Sequence, residues 1–236
     1  MDCRRGRRPG SGDGGFVLPR AARSEAAVKR WTVLLCRASI SAMDNELLDS
    51  RPRALPRRVR FVELDAKALR ALADGDLAAG SAECGVALDE HFVSDRARWI
   101  FGYRADQLAR DPSAAPWTTR AAVSEPDGAV VGDAGFHGPP DEAGVVEVGY
   151  TVVPGYRRRG YARAMLAALL ARAAEEPGVR TVRATIRSDN EASLATIAGF
   201  GFTRVGERGN EEEGIAFVFE VPAEAAGRGD GFPPDR

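Results

Sequence analysis

Between Val145 and Ala173 the chain passes from the alternating apolar segment VVEVGYTVV through Pro154-Gly155 into three consecutive arginines, a glycine and a helical apolar stripe. No other stretch limits the fold as tightly. In a strand over 145–153, Val146, Val148, Tyr150 and Val152 fall on one face, and Glu147, Gly149, Thr151 and Val153 on the other. Pro154-Gly155 stops strand pairing. Ala162, Met165, Leu166, Leu169, Leu170 and Ala173 then recur at the spacing of a single apolar helix face, suited to lie on a sheet. The string Arg157-x-x-Gly160-x-Ala162 therefore sits where a strand gives way to a helix. There the first backbone N–H groups lack intrahelical acceptors and the helix dipole is positive, which favours a phosphate group. Gly160 allows close backbone approach, and the arginines add charge and forked donors.

A glycine-rich turn before a helix also occurs as an ordinary solvated basic turn, so the segments that follow matter. Thr181–Arg187 alternates as a strand, with Val182, Ala184 and Ile186 on one side. Ser188-Asp-Asn-Glu191 has capping-box form for a short helix through Ala198. Arg157-x-x-Gly160-x-Ala162 after a strand, followed by Asn190-x-x-Ser193 and Gly201-Phe202, resembles the signature of the GNAT superfamily of acetyl-CoA-dependent N-acetyltransferases. Within it the chain is most similar to the RimJ/RimL-like branch, which acetylates protein N-termini and sometimes small amines. The resemblance covers residues 58–222 and implies a GNAT fold, in which splayed parallel strands bind acyl-CoA.

Elsewhere the pattern is less directive. Arg60–Asp65 alternates as a strand, and Asp65 is placed to cap a helix over 66–73. Residues 76–111 are mixed, with helices expected over 95–101 and 105–109. Trp117–Val123 and Ala129–Phe136 read as strands joined by the turn Glu125-Pro-Asp-Gly128. Thr203–Glu207 and Ile215–Val221 read as a closing hairpin. Strands and helices mixed in this way give an α+β class with a mixed, mostly antiparallel sheet flanked by helices. Three regions are expected: a disordered or loosely ordered basic extension over 1–57, an acetyltransferase domain over 58–222, and a disordered tail over 223–236.

Residues 1–60 hold 14 Lys and Arg against 6 Asp and Glu, and the remainder is net acidic. That arm could tether nucleic acid, but a plain extension is the favoured reading and no nucleic-acid partner is expected. Cys3, Cys36 and Cys84 are scattered, and His91 and His137 are the only histidines, so no metal site is expected. No apolar run reaches membrane-spanning length, and the arm's apolar stretch at Trp31–Cys36 is cut by Arg37. A reduced cytoplasmic protein without a membrane partner, monomeric or a homodimer, is the simple reading. His91 is read as packing, and His137, beside Pro139-Pro140, as an exposed loop residue.

The resemblance assigns roles. It implies acetyl-CoA as cosubstrate and an amine as acceptor, with direct attack of the amine on the thioester. Val152 and Val153 would bond the pantetheine arm and the acetyl carbonyl through their backbones. Arg157, Arg158, Arg159, Gly160, Tyr161 and Ala162 would surround the pyrophosphate, while Asn190 and Ser193 would bond the arm or sit near the sulfur. Glu147, the one carboxylate on its strand, is the candidate base, with a solvated face or half of an ion pair as the competing readings. Many family members carry a tyrosine seven residues after the Asn to protonate the departing thiolate; here that position is Ile197. Ser193 is the candidate donor instead. An α-amine, with pKa about 7.7–8.0, is about one-quarter neutral near pH 7.4, whereas a lysine amine is almost wholly charged. A carboxylate base therefore suits a protein N-terminus or another low-pKa amine. The competing class is a non-catalytic acyl-CoA-binding module with a nucleic-acid-tethering arm, motivated by the missing tyrosine and the basic extension.

Overall fold

In the computed structural model, which describes residues 57–209 and 214–226, the alternation near Arg60 becomes β1 (Val59–Glu63). Asp65 then caps α1 (Ala66–Asp74) by accepting the Ala68 N–H at 2.8 Å. The chain continues through α2 (Leu77–Cys84), α3 (Asp95–Arg110), β2 (Arg120–Ser124), β3 (Val130–Phe136) and β4 (Val145–Val152). After β4 come α4 (Tyr161–Glu175), β5 (Thr181–Arg187), α5 (Glu191–Ile197), β6 (Thr203–Arg208), β7 (Ala216–Pro222) and the short α6 (Ala223–Ala226). The seven strands lie in the order β1-β2-β3-β4-β5-β7-β6. Every neighbouring pair is antiparallel except β4 with β5. The expected basic extension lies outside the described residues, apart from Arg57, as does most of the tail.

Each face of this sheet carries its own core. Met165, Leu166, Leu169 and Leu170 of α4 pack on Phe136, Val146, Val148 and Val182. On the other face, Leu69, Leu72, Phe101 and Leu108 from α1 and α3 pack on Ala121, Val123 and Val153. The alternation of β4 thus sends Val146 and Val148 to one core and Val153 to the other, as period two requires.

Three expectations change. Residues 95–110 form one helix rather than two, with Gly102 inside it: a Cβ there would lie 3.6 Å from the Ala73 Cβ, so the glycine sits where α3 approaches α1. The mixed segment after Asp76 contains α2, whose Gly80 faces Leu72 so closely that a Cβ would lie 2.6 Å from Leu72 Cδ2. Trp117 ends a 3₁₀ turn over Pro112–Trp117 instead of starting a strand, and its ring meets Phe136 with centroids 5.5 Å apart.

The feature that positions the site is a fork. β4 pairs with β5 only from Val145↔Thr181 to Glu147↔Arg183, and beyond that point the two strands make no ladder with each other.

Candidate active site

Register decides which backbone groups face that fork. On the other side of β4, the His137 N–H donates to Glu147 O and the Val153 N–H to Val131 O. In an antiparallel ladder the hydrogen-bonded residues alternate with residues whose N–H and C=O point away. Val148, Tyr150 and Val152 therefore turn their backbone toward the open side, and Glu147 stands at the apex. Val153 differs from Val152 in this respect. Its N–H is held by β3, its carbonyl accepts the Tyr156 N–H at 2.8 Å, and its side chain is buried.

Beyond the strand, Pro154–Tyr156 makes a 3₁₀ turn and the chain enters two left-handed positions, Arg158 at φ 58° and Gly160 at φ 86°. Gly160 is the N-cap of α4 and supplies no side-chain cap, so the first N–H groups of a 15-residue helix have no capping side-chain acceptor. Left-handed residues beside a helix start form a concavity of amides suited to an anion. A Cβ on Gly160 would meet only Arg57 Cγ, at 3.7 Å, so the space above it is nearly clear.

The arginines are not equivalent. Arg157 Nε donates to the Val152 carbonyl at 3.1 Å, and the Arg159 guanidinium lies 5.5 Å from the Tyr156 ring centroid. Arg57, which the sequence pattern does not single out, lies 5.4 Å from the centroid of Tyr161 and adds a further cation at this corner. The Tyr161 side chain turns inward; it is buried, and its hydroxyl pairs with Ser124 Oγ at 3.1 Å. Only its main chain is therefore available to the loop. Ala162, half-buried, continues the first turn.

Asn190, rather than Ser188, caps α5: its Oδ1 accepts the Ser193 N–H at 3.1 Å. The Ser188 N–H is instead tied to Ile215 O. Ser193 is half-buried on the first turn, and the Tyr150 hydroxyl reaches α5 beside Ser193 and Thr196. That hydroxyl is shut off from solvent yet makes no hydrogen bond of regular geometry. Burial pushes its pKa up, with the two neighbouring hydroxyls opposing. Ile197 is buried in the α4-side core.

Glu147 is not alone. His137 Nδ1 lies 3.5 Å from one carboxylate oxygen and an Arg208 nitrogen 4.0 Å from the other, with the Glu147 side chain 22% exposed. Burial raises its pKa, but the hydrogen bond and charge of His137, the nearby Thr185 hydroxyl and Arg208 outweigh this and hold it below the usual carboxylate range. Thr185 Oγ1 nevertheless makes no hydrogen bond of regular geometry. His137 is thus a partner of the candidate base, its ring so close over Gly149 that a Cβ there would fall 2.7 Å from Nε2. His91, half-buried, is close enough to Arg157 for that charge, after burial, to lower its pKa.

A second carboxylate shares the Glu147 side of the sheet. Asp133 lies opposite Thr151 in the β3–β4 register and is half-buried. Burial pushes its pKa up to about 7, against the pull of Arg96. With its folded pKa above its unfolded value, the group costs nothing well below pH 3.8 and destabilises the fold increasingly from there up to about pH 7. Asp133→Asn is expected to raise stability by about 1–2 kcal/mol at pH 8, after discounting for partial exposure, and by almost nothing at pH 4. Thermal unfolding of both proteins across that range checks it.

Among the described residues no helix is long and apolar enough to cross a membrane, and no group of three or more His, Cys, Asp or Glu side chains could hold a metal ion. The sequence profile of the family described as "Acetyltransferase (GNAT) domain" matches residues 59–203. The uncharacterized N-acetyltransferase YjdG of Bacillus subtilis (strain 168) is 34% identical over 73 residues, which is 31% of this chain and 44% of that protein's length. Among solved structures, a spermidine N-acetyltransferase SpeG chimera from Vibrio cholerae and hSSAT superposes with TM-score 0.53 at 9% identity, covering 72% of this chain and 98% of that one. A mutant form of the Vibrio cholerae spermidine N-acetyltransferase SpeG gives 0.52 at 10% identity, over 72% of this chain and 96% of that one. These likenesses speak to the fold: a mixed seven-stranded sheet flanked by helices. The matched profile spans well over half of the 236 residues, and with it this chain belongs to the GNAT acetyltransferase family.

Proposed function

We propose that this protein transfers an acetyl group from acetyl-CoA to a primary amine. One observation carries the reading: a strand edge left unpaired by the β4–β5 fork leads straight into an uncapped helix start with two left-handed residues. Such a channel offers backbone donors and acceptors to the amide-bearing pantetheine arm, then amides and arginines to its pyrophosphate. The residues present fit that cosubstrate. Val152 and its even-numbered neighbours on β4 serve the arm, and Val153 supports the turn from within the core. Arg157, Arg158, Arg159 and the main chain of Gly160, Tyr161 and Ala162 serve the phosphates, with Asn190 and Ser193 at the thioester end.

Glu147, ionised at neutral pH, accepts the ammonium proton, directly or through a water molecule, so that the free amine attacks the carbonyl carbon. Its depressed pKa makes it a modest base, adequate for an α-amine near pH 7.4 and poorly matched to lysine. Protein N-termini and comparable amines are the acceptors this supports, in keeping with the RimJ/RimL-like motifs. The competing reading, a non-catalytic acyl-CoA-binding module, draws on Ile197 standing in the core where many relatives have a tyrosine. Incubating the protein with acetyl-CoA and an amine panel that includes N-terminal peptides separates the two. Thiol release and a mass increase on an α-amine are expected; bound coenzyme without release on any amine would favour the module.

A further inference from the structure

Tyr150 lies midway along the open edge of β4, directed to the α4 side of the sheet, and its hydroxyl arrives at the first turns of α5. A phenol closed off from water without a regular hydrogen bond costs free energy, about 1–3 kcal/mol for an unsatisfied buried polar group. Phenylalanine would fill the same space without that cost. The Thr196 hydroxyl gives its proton to the Ala192 carbonyl at 2.8 Å and can only accept from the phenol, whereas Ser193 can either donate or accept and so orient it. Tyr150 itself stands beyond the last β4–β5 pair, and its unsatisfied hydroxyl lies beside Ser193, whose motif position belongs near the sulfur. Ile197, one turn on, has been taken into the core and offers no proton.

We propose that Tyr150 is the proton donor to the departing coenzyme A thiolate, supplied from a strand instead of from the helix. This rests on the acetyltransferase reading above. With the ammonium proton already taken by Glu147, the free amine nitrogen bonds to the carbonyl carbon and gives up its remaining extra proton to water. The C–S bond then breaks with its electrons on sulfur, the Tyr150 O–H proton passes to sulfur, and the phenolate regains a proton from solvent by way of the half-buried Ser193 hydroxyl. Ser193 positions the phenol. Its burial keeps the phenol protonated throughout the working range, which a donor requires.

Tyr150→Phe is expected to lower kcat about 10²-fold or more, the range general-acid help supplies. Acetyl-CoA affinity by calorimetry should stay within about threefold of wild type, and thermal stability should hold or rise because an unsatisfied hydroxyl is gone. Ser193→Ala should cost less than Tyr150→Phe, and the double variant little more than Tyr150→Phe alone. Replacing Tyr150 by a more acidic fluorinated tyrosine should draw the basic limb of the kcat–pH profile downward, a change that packing alone would not cause. Turnover of Tyr150→Phe within about threefold of wild type, or an unmoved basic limb in the fluorinated protein, would overturn the assignment while leaving the acetyltransferase reading intact. A wild-type protein that binds acetyl-CoA but acetylates no amine would overturn both.

Discussion

Gly160→Glu abolishes acetyl-CoA binding in a folded protein, with the dissociation constant raised about 100-fold or more. Two effects combine. At φ 86° any side chain strains the backbone, by about 1–2 kcal/mol. A carboxylate then stands at a helix N-terminus and recruits Arg157, Arg158 and Arg159, so the amides and cations meant for phosphate become partners of the protein itself. Gly160→Ala separates the terms. A Cβ has room there, touching only Arg57 Cγ at 3.7 Å, so alanine carries the strain without the charge. Alanine should therefore lose some stability and little affinity. A folded Gly160→Glu protein with wild-type affinity would remove the phosphate from this corner.

Glu147→Gln should lower kcat about 10²-fold or more while leaving acetyl-CoA affinity nearly unchanged. Glutamine keeps the shape and one acceptor oxygen but cannot take up a proton. The loss of attraction to half-exposed His137 and Arg208 costs at most about 1 kcal/mol of stability, so the variant remains folded. The sign of the pH dependence follows from the depressed pKa. A base works when deprotonated, so activity falls as pH drops through a value below the ordinary carboxylate range. Removing His137 takes away the largest of the interactions that lower it, and the acid limb should move upward in His137→Ala. Equal turnover in Glu147→Gln and wild type would disqualify this carboxylate as base.

Local chemistry made much of the fold legible in the sequence. The β4 alternation, the Pro154-Gly155 stop and the α4 stripe each involve residues within a few positions of one another, and each stands where expected. The two helical features that the pattern does not reveal share a cause. Gly80 and Gly102 look like helix breakers in sequence, but they sit where one helix meets another closely, and tertiary contact offsets the propensity. Ser188 and Asn190 are both good helix caps by residue type; in the fold Asn190 Oδ1 accepts the Ser193 N–H, while the Ser188 N–H is tied to Ile215 and unavailable for the return bond of a capping box.

The site divides along the same line. The phosphate corner is contiguous in sequence and so is visible as a motif. The roles of Tyr150, Asp133 and His137 depend on contacts with α5, the neighbouring strand and Glu147, which no spacing rule records. Val153 shows the reverse: adjacent to Val152 in sequence, it is turned away from the open side by the register of β3.

If main-chain amides following Tyr156 grip the phosphates of coenzyme A while the open edge of β4 takes the arm, those amides must sense the ligand directly. Amide proton–nitrogen spectra recorded during a coenzyme A titration read this out residue by residue. Saturable shifts should concentrate on residues 158–163 and on Val148, Tyr150 and Val152, with Val153 moving less. Saturation that leaves those amides in place, or a titration with no response at all, would contradict it.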